Sequence, residues 1–459
     1  MVDPAVETRP WADQQRIDDE AYRRQVAYLL ASSRFYAAKL AAAGFSSPEA
    51  IGGLDAIARL PMTEKDELRA SRSAAEPIGT HLAVPFDRIA RIFSTSGTTG
   101  KPSYVPLTTD DIADWVTISS RSYAASGVKR GDRLISTYNA GPFVAGVALE
   151  AFNALGDVHI PVGSSNSDRI FTAIELLRAD TVVLTPSYAL HLAESAAAQG
   201  IDLAGSSVRR LLVAGEPGGG EPALRAKLEA AWGAQLTEAL GIGDIAVSLW
   251  GECPEKQGMH FSGRGLVHFE LIDPVTGANV AFGNGGEAVE GEVVYTHLRH
   301  RAAPLLRFRS RDHVRLWAGK CACGRTAPRI RCIGRTDDML IVRGVNVFPT
   351  AIREIVNEFQ PLVSGVISVR PRRKGFRQDP PLSVSVEAGG GNDAALAERI
   401  RQRIRDALVV TTEIELVPNG SLPRSSYKSH LVDWSSAASE CGARWRLVEV
   451  SGNAEFSRR

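Results

Sequence analysis

The chain has 459 residues, of which 44% are hydrophobic and 23% charged, a composition typical of a globular protein with more than one domain. Its 53 basic and 52 acidic residues leave a formal net charge of +1, which gives no electrostatic argument for nucleic acid or an anionic membrane as partner. No stretch reaches the ~18 apolar residues that span a bilayer, and the N-terminus lacks the pattern of a signal peptide. We therefore expect a cytoplasmic protein whose five cysteines are free or metal-bound.

In chain order, the first predicted elements are helices. Apolar residues at helical spacing cover residues 11–44, where Gly44 ends the last helix, and a further helix start lies at residues 63–67. Strand-like and helix-like segments then alternate, which predicts α/β layers with parallel strands. The predicted strands are residues 133–138, 181–185 and 210–214, and the predicted helices are residues 170–178, 187–199 and 221–232.

From about residue 261 to 318, glycine turns separate short β-rich runs, a pattern typical of an antiparallel sheet or a small barrel. Residues 338 to about 434 predict a separate α+β unit with helices near 349–359 and 393–407. Its later strands are predicted at 362–370, 382–387 and 413–417. The fold class is therefore α/β. A large N-terminal domain (residues 1–335) combines α/β layers with a small barrel-like part, and a smaller α+β domain (residues 336–459) follows.

The most informative segment is a run of hydroxyls, glycines and one lysine after Ile92-Phe93. Glycines let backbone amides turn toward an anion, while hydroxyls and an ammonium group bind phosphate oxygens. A Walker A loop is excluded, because only two residues separate Gly97 from Gly100 and Pro102 follows the lysine. Taken alone, the segment also fits a surface turn. The predicted phosphate-binding residues are Ser94, Thr95, Ser96, Gly97, Thr98, Thr99, Gly100 and Lys101.

This loop resembles the phosphate-binding signature of the adenylate-forming enzymes, which include acyl- and aryl-CoA synthetases, peptide-synthetase adenylation domains and luciferase. Residues 60–69, 185–188 and 215–217 are similar to the phenylacetate–CoA ligase branch, and the resemblance extends to about residue 433. It implies an enzyme that uses ATP and Mg²⁺ to convert a carboxylic acid into an acyl-adenylate with release of pyrophosphate. The acyl group then passes to coenzyme A, and the smaller C-terminal domain is mobile.

The resemblance also implies roles for residues around the nucleotide. The segment Gly215-Glu216-Pro217 would lie against the adenine, although a plain turn is the alternative. Asp312 would accept hydrogen bonds from the ribose hydroxyls. Arg335 would lie near the nucleotide, and Asp337 would be the hinge residue of the C-terminal domain.

Residues 422–428 resemble the lysine motif that the family has near its C-terminus. In the family its lysine contacts the carboxylate and an α-phosphate oxygen during adenylation, which implies that role for Lys428. A fixed cation is needed there because the reaction brings two anions together. This sequence departs from the family at Tyr427, where a glycine is usual, and at Ser310-Arg311 before the ribose aspartate.

A second departure lies at residues 240–244, which read Leu-Gly-Ile-Gly-Asp where the family has Tyr-Gly-x-Ser/Thr-Glu. Asp244 keeps the hard oxygen ligand that Mg²⁺ prefers, with one methylene less reach. Either Asp244 supports metal binding in a variant enzyme, or the chemistry is weakened and the protein is a degenerate nucleotide-binding protein. Retention of Lys428 favours the first interpretation.

The acyl pocket is predicted from the same resemblance. Tyr138 and Phe143 would flank an aromatic ring or be core aromatics, and Gly241 and Gly243 would line the pocket. An aryl or arylacetic acid is the predicted substrate. The acceptor is coenzyme A or, alternatively, a carrier protein or an amine or other nitrogen nucleophile. Relatives on this branch suggest a homodimer.

Four further residues suggest a metal. Cys253 and His260 form a Cys-x6-His pair, and Cys321 and Cys323 form a Cys-x-Cys pair. Three thiolates and one imidazole make a closed tetrahedral set of the kind that holds structural Zn²⁺. Some relatives of the phenylacetate–CoA ligase branch have zinc at similar spacing, which favours this interpretation over four unrelated residues.

Overall fold

A computed structural model describes residues 1–95, 103–138, 146–163, 167–283, 287–343, 345–373, 375, 377–389, 395–423, 431–435 and 437. Within these residues the α-helices are α1 (Pro4–Glu7), α2 (Trp11–Ser32), α3 (Arg34–Ala42), α4 (Pro48–Ile51), α5 (Lys65–Ala70), α6 (Thr109–Ala125), α7 (Gly146–Leu155), α8 (Ser167–Leu177), α9 (Pro186–Ala198), α10 (Pro222–Trp232), α11 (Pro349–Asn357) and α12 (Leu396–Leu408). Short 3-10 helices cover Leu54–Arg59 and Phe86–Arg88. Among the described helices, none combines the length and apolar character needed to traverse a bilayer.

The described strands fall into one large and three small sheets. They are β1 (Arg91–Thr95), β2 (Ser103–Leu107), β3 (Arg133–Ser136), β4 (Val158–Pro161), β5 (Thr181–Leu184), β6 (Arg210–Ala214), β7 (Gln235–Ile242), β8 (Ala246–Glu252), β9 (Met259–Phe261), β10 (Val267–Ile272), β11 (Val289–His297), β12 (Phe308–Trp317), β13 (Arg329–Arg335), β14 (Leu340–Val342), β15 (Val345–Val347), β16 (Val363–Arg370), β17 (Arg377–Gln378), β18 (Leu382–Ala388) and β19 (Thr412–Val417). The large sheet has the order β10-β11-β12-β13-β9-β8-β7-β6-β5-β3-β4.

The large sheet contains both strand patterns that the sequence predicts. Strands β4, β3, β5, β6 and β7 are parallel, and the helices between them supply the crossover connections that parallel pairing requires. Strands β8 to β13 continue the same sheet in antiparallel pairing. The antiparallel prediction for residues 261–318 is therefore confirmed, with these strands joined to the parallel ones in a single sheet.

The central parallel strands β5 and β6 are largely apolar because both of their faces are covered. All four residues of β5 are buried, and β5 and β6 pack against α8, α9 and α10 in one hydrophobic cluster. This cluster fixes the positions of the loops that follow β5 and β6.

The predicted α+β unit near the C-terminus is present and has its own hydrophobic core. That core extends from Leu340 to Val410 and combines α11 and α12 with the sheet β16-β18-β19. Helix α12 is amphipathic, with Leu396, Ile400 and Ile404 buried at helical spacing. Residues 438–459 lie outside the described residues.

Candidate active site

The candidate site lies at the carboxyl edge of the parallel strands. Tyr138 follows β3, residues 185–188 follow β5, residues 215–217 follow β6 and residues 243–244 follow β7. Because neighbouring parallel strands end at the same edge of a sheet, four segments selected from the sequence come together there. Such edges are the usual ligand sites of parallel α/β sheets.

The predicted phosphate loop connects two antiparallel strands. Ser94 in β1 pairs with Tyr104 in β2, and the backbone of Thr95 pairs with Ser103. Residues 96–102, which include the predicted ligands Ser96, Gly97, Thr98, Thr99, Gly100 and Lys101, lie outside the described residues.

The predicted adenine segment is a turn with defined contacts. Gly215 has φ +96°, a conformation that favours glycine. The Glu216 carboxylate accepts a 2.7 Å hydrogen bond from the Ser187 amide, which ties the loop after β6 to the start of α9. The Pro217 carbonyl accepts a 3.1 Å hydrogen bond from Arg353 in α11, within the C-terminal unit. The segment is therefore held from two sides.

The predicted ribose and hinge residues form one charged cluster. Asp312 in β12 and Arg335 in β13 are paired across the sheet, and the guanidinium donates to the Asp312 carboxylate at 3.2 Å. Two further bonds of 2.8 Å join Arg335 to both carboxylate oxygens of Asp337. Burial raises the pKa of Asp312, and the positive charge of Arg335 opposes that shift. The three residues that the sequence separates are in direct contact.

The predicted metal carboxylate has a partner that sequence reasoning missed. Lys65, the first residue of α5, places its Nζ 2.7 Å from a carboxylate oxygen of Asp244. Asp244 is 12% and Lys65 is 28% exposed, so the pair is only partly shielded from solvent. The sequence feature that pointed to this segment was the family resemblance of residues 60–69, but that resemblance gave no role for Lys65.

The residue before this lysine also connects to the site. The Glu64 carboxylate binds Arg311 at 2.6 Å and Arg309 at 3.3 Å. Arg311 directly precedes Asp312 and has φ +67°, a strained conformation for a residue with a side chain. Glu64 thus stabilises the irregular stretch of β12 where the chain departs from the family before Asp312.

Three of the four predicted pocket residues are described. Tyr138 is half-buried and packs against the core cluster that contains Tyr123 and Phe152, so it contacts the core, and its role in the pocket stays a prediction. A Cβ added to Gly241 would lie 1.8 Å from the Val247 carbonyl oxygen, so the backbone excludes any side chain there. Gly243 lies in the turn between β7 and β8, next to Asp244. Phe143 lies outside the described residues.

The predicted catalytic lysine, Lys428, lies outside the described residues. Three arginines at and after the end of β16 are paired with surface carboxylates: Arg370 with Glu415, Arg372 with Glu413, and Arg373 with Asp379. These contacts are those of a solvated basic surface.

The predicted zinc ligands converge. One donor atom from each of Cys253, His260, Cys321 and Cys323 lies within 4.8 Å of the other three. The Cys253 and Cys321 sulfurs are 3.8 Å apart, and Cys323 Sγ is 3.4 Å from His260 Nε2. None of these cysteines is in a disulfide. A hydrogen bond from Cys253 lowers the pKa of the Cys323 thiol, and the same contact raises the pKa of the Cys253 thiol. This donor set fits a tetrahedral Zn²⁺.

The cluster is linked to the N-terminus. The Arg325 guanidinium lies 3.7 Å from Cys323 Sγ and donates a 2.7 Å hydrogen bond to the Glu7 carboxylate of α1. Both charged side chains are at least 92% buried, since Arg325 is 8% and Glu7 is 7% exposed. The Cys-x-Cys turn thus anchors α1 through a buried ion pair.

Comparisons with known proteins give two family matches, one in the N-terminal part of the chain and one in the C-terminal part. A family model described as AMP-binding enzyme matches residues 25–295, and one described as AMP-binding enzyme C-terminal domain matches residues 344–433. The phenylacetate-coenzyme A ligase of Thermus thermophilus is 34% identical over 447 residues, which are 93% of this chain and 97% of that protein.

Solved structures of 2-hydroxyisobutyryl-CoA ligase share the fold. The structure in the postadenylation state, in complex with R3-HIB-AMP, has a TM-score of 0.84 at 25% identity, covering 94% of this chain and 91% of that one. The same ligase in the thioesterification state, with 2-HIB-AMP and CoA, has a TM-score of 0.68 at 26% identity, with coverage of 95% and 92%. With the sequence matches, these findings establish that the chain belongs to the AMP-binding enzyme family, in its phenylacetate–CoA ligase branch.

Proposed function

We propose that this protein uses ATP and Mg²⁺ to activate an aryl or arylacetic acid as an acyl-adenylate, releases pyrophosphate, and transfers the acyl group to coenzyme A. The observation that supports this most is the cluster in which Arg335 binds both Asp312 and Asp337. It joins the predicted ribose residue in β12 to the predicted hinge residue directly after β13. The relatives in this branch are named phenylacetate-coenzyme A ligases.

Each residue has a defined chemical task in this proposal. Asp312 accepts hydrogen bonds from the ribose hydroxyls, and residues 215–217 lie against the adenine. Residues 94–101 bind the phosphates, and Lys428 offsets the charge that develops when the carboxylate attacks the α-phosphorus. The Asp244 carboxylate would hold Mg²⁺, which supplies charge neutralisation at the phosphates.

The division of the chain into two domains belongs to the same proposal. We place the boundary between residues 335 and 336, with Asp337 as hinge residue. The separate hydrophobic core that begins at Leu340 supports this placement. The homodimer and the cytoplasmic location stay predictions.

A structural Zn²⁺ is the second part of the proposal. Its ligands would be Cys253, His260, Cys321 and Cys323, whose convergence within 4.8 Å supports the site. It would fix the loop after β8 to the turn before β13 and thereby the start of α1 through Arg325. It has no role in the chemistry.

The test is ATP–pyrophosphate exchange with a panel of aryl, arylacetic and short aliphatic acids, for the wild type and Lys428→Ala. We expect exchange with an aromatic acid, a loss of at least about 100-fold in the variant, and a CoA thioester when CoA is added. Exchange without CoA turnover would replace CoA by a carrier protein or a nitrogen nucleophile as acceptor. ATP binding without exchange for any acid would contradict the enzyme assignment.

A further inference from the structure

Arg353 is the buried contact between the C-terminal unit and the nucleotide side of the molecule. It lies in α11, and its Nη2 is 2.5 Å from a Glu221 carboxylate oxygen at the start of α10. The same nitrogen donates to the Pro217 carbonyl at 3.1 Å. Arg353 therefore binds both ends of the short loop that begins with the predicted adenine segment.

This ion pair is shielded from water. The side chains of Arg353 and Glu221 are 11% and 8% exposed, and burial raises the pKa of Glu221 against the effect of the arginine. Removing one partner of a buried pair leaves an uncompensated charge, which is strongly destabilising for the arrangement that buries it. The contact consequently favours one position of the C-terminal unit over any position that separates the two charges.

The loop is shaped to receive the arginine. Gly218 has φ +137°, and a Cβ at this position would lie 3.2 Å from Arg353 Nη2. Even a methyl group there would be in tight contact with the guanidinium. The approach of α11 to the loop thus depends on the glycine after Pro217.

Two other contacts across the same interface are a more exposed ion pair and an aromatic stack. Arg331 and Glu354 form a 2.7 Å ion pair with side chains 34% and 45% exposed, and exposed pairs contribute little. His313 and Phe348 stack with ring centroids 4.8 Å apart. The Arg331–Glu354 pair, one residue along α11 from Arg353, is therefore a matched control for the buried pair.

The position of the C-terminal unit agrees with one state of a relative. Similarity to 2-hydroxyisobutyryl-CoA ligase is higher in the postadenylation state, with a TM-score of 0.84, than in the thioesterification state, with 0.68. Coverage and identity are nearly equal, so the difference reflects the arrangement of the parts. Arg353 meets Glu221 in the arrangement that resembles the first state.

We propose that Arg353 is a positioning residue for the adenylation half-reaction: its buried contacts with Glu221 and Pro217 hold the C-terminal unit in the adenylation arrangement and set the adenine loop, and they separate before thioester formation. This inference rests on the proposed function. Loss of a positioning residue should slow adenylation and spare thioester formation. Loss of an ion pair that only stabilises the fold should affect both half-reactions alike.

The experiment compares both half-reactions in Arg353→Met, Glu221→Gln and the control Arg331→Met. Adenylation is measured as pyrophosphate exchange, and thioester formation is measured with CoA and chemically prepared acyl-adenylate. We expect exchange to fall about 10- to 100-fold in the first two variants, while thioester formation stays within about twofold of wild type or rises. Arg331→Met should change neither rate by more than about twofold.

Two further measurements separate positioning from misfolding and from a wrong function. The charge-exchanged variant Arg353→Glu with Glu221→Arg should recover at least about tenfold of the lost exchange. Hydrogen exchange of residues 215–221 and 349–357 should rise in Arg353→Met and not in Arg331→Met, a readout that needs no substrate. Equal losses in both half-reactions, or unchanged hydrogen exchange in Arg353→Met, would overturn the inference. Absence of activity in the wild type would instead contradict the proposed function.

Discussion

The candidate active site and the Cys/His cluster organise polar residues in opposite ways. In the candidate site, two predicted carboxylates each have a cation from another element: Asp312 has Arg335, and Asp244 has Lys65. In the cluster, four donors face one another within 4.8 Å. Paired charges in such a site can exchange partners with a ligand, whereas a closed tetrahedral set holds one ion and fixes the chain around it. The contrast separates residues for chemistry from residues for architecture.

The largest effect is expected from a substitution in the Cys/His cluster. If the proposed Zn²⁺ is bound there, Cys321→Ser should lose it and lower the free energy of unfolding by more than about 4 kcal/mol, because the buried site would lose one of its four ligands. Metal analysis and urea unfolding measure both. Cys332→Ser, outside the cluster, should keep the metal. A Cys321→Ser protein that keeps its metal and its stability would contradict the structural role.

The next largest effect is expected from a buried acid. Burial, with a smaller contribution from Glu252, raises the pKa of Glu238 to about 7, above its ordinary value of 4.5. The folded state therefore holds a proton that the unfolded state releases, so this group lowers stability as pH rises from about 4.5 to 7. Glu238→Gln should be about 3 kcal/mol more stable than wild type at pH 8, and the difference should vanish below pH 4.5.

Urea unfolding at pH 4.5 and pH 8 checks this prediction. Glu290→Gln is the control, because its side chain is 43% exposed and its replacement should change stability by less than about 0.5 kcal/mol at either pH. An unchanged difference between Glu238→Gln and wild type across this pH range would contradict the raised pKa.

In the candidate active site, Asp312→Asn should act on nucleotide binding and leave stability nearly unchanged. Loss of charge-assisted hydrogen bonds to the ribose should raise the KM for ATP about 30-fold. 2′-Deoxy-ATP, which lacks one ribose hydroxyl, serves as the control substrate. The wild type should have a clearly higher KM for 2′-deoxy-ATP than for ATP, and the variant should show a much smaller difference. Equal discrimination by both proteins would show that Asp312 does not contact that hydroxyl.

The smallest effect concerns the pair of Lys65 and Asp244. If Asp244 holds Mg²⁺, the ammonium group at 2.7 Å competes with the ion for the same carboxylate. Lys65→Met should therefore lower the Mg²⁺ concentration for half-maximal pyrophosphate exchange by about three- to tenfold. Asp244→Asn should raise it. An unchanged Mg²⁺ requirement in both variants would remove Asp244 from the metal site.

What the sequence predicts well is local or chemically specific. The helices at 11–44, the strands at 181–185 and 210–214 and the C-terminal α+β unit follow from periodicity, and the structure confirms them. The Cys/His set could be predicted as a metal site from the sequence, because only a few types of side chain bind zinc. Their spacing therefore suggests a ligand set even when the contacts are unknown.

What the sequence did not predict depends on distant partners. Lys65 and Asp244 are 179 positions apart, and Arg353 and Glu221 are 132 apart. Each residue alone resembles a solvated surface charge, and only the fold makes the pairs visible. The continuous sheet from β10 to β4 was similarly hidden, because antiparallel and parallel patterns suggested separate parts.

Gly241 limits how this enzyme can diversify. Because any Cβ there would meet the Val247 carbonyl oxygen at 1.8 Å, mutation cannot reshape the predicted acyl pocket at this position without moving β8. If these residues line the acyl pocket as proposed, changes in acid preference would arise at other predicted pocket positions, such as Leu240, Gly243 or Tyr138. A library for new substrates should keep residue 241 fixed and randomise those positions.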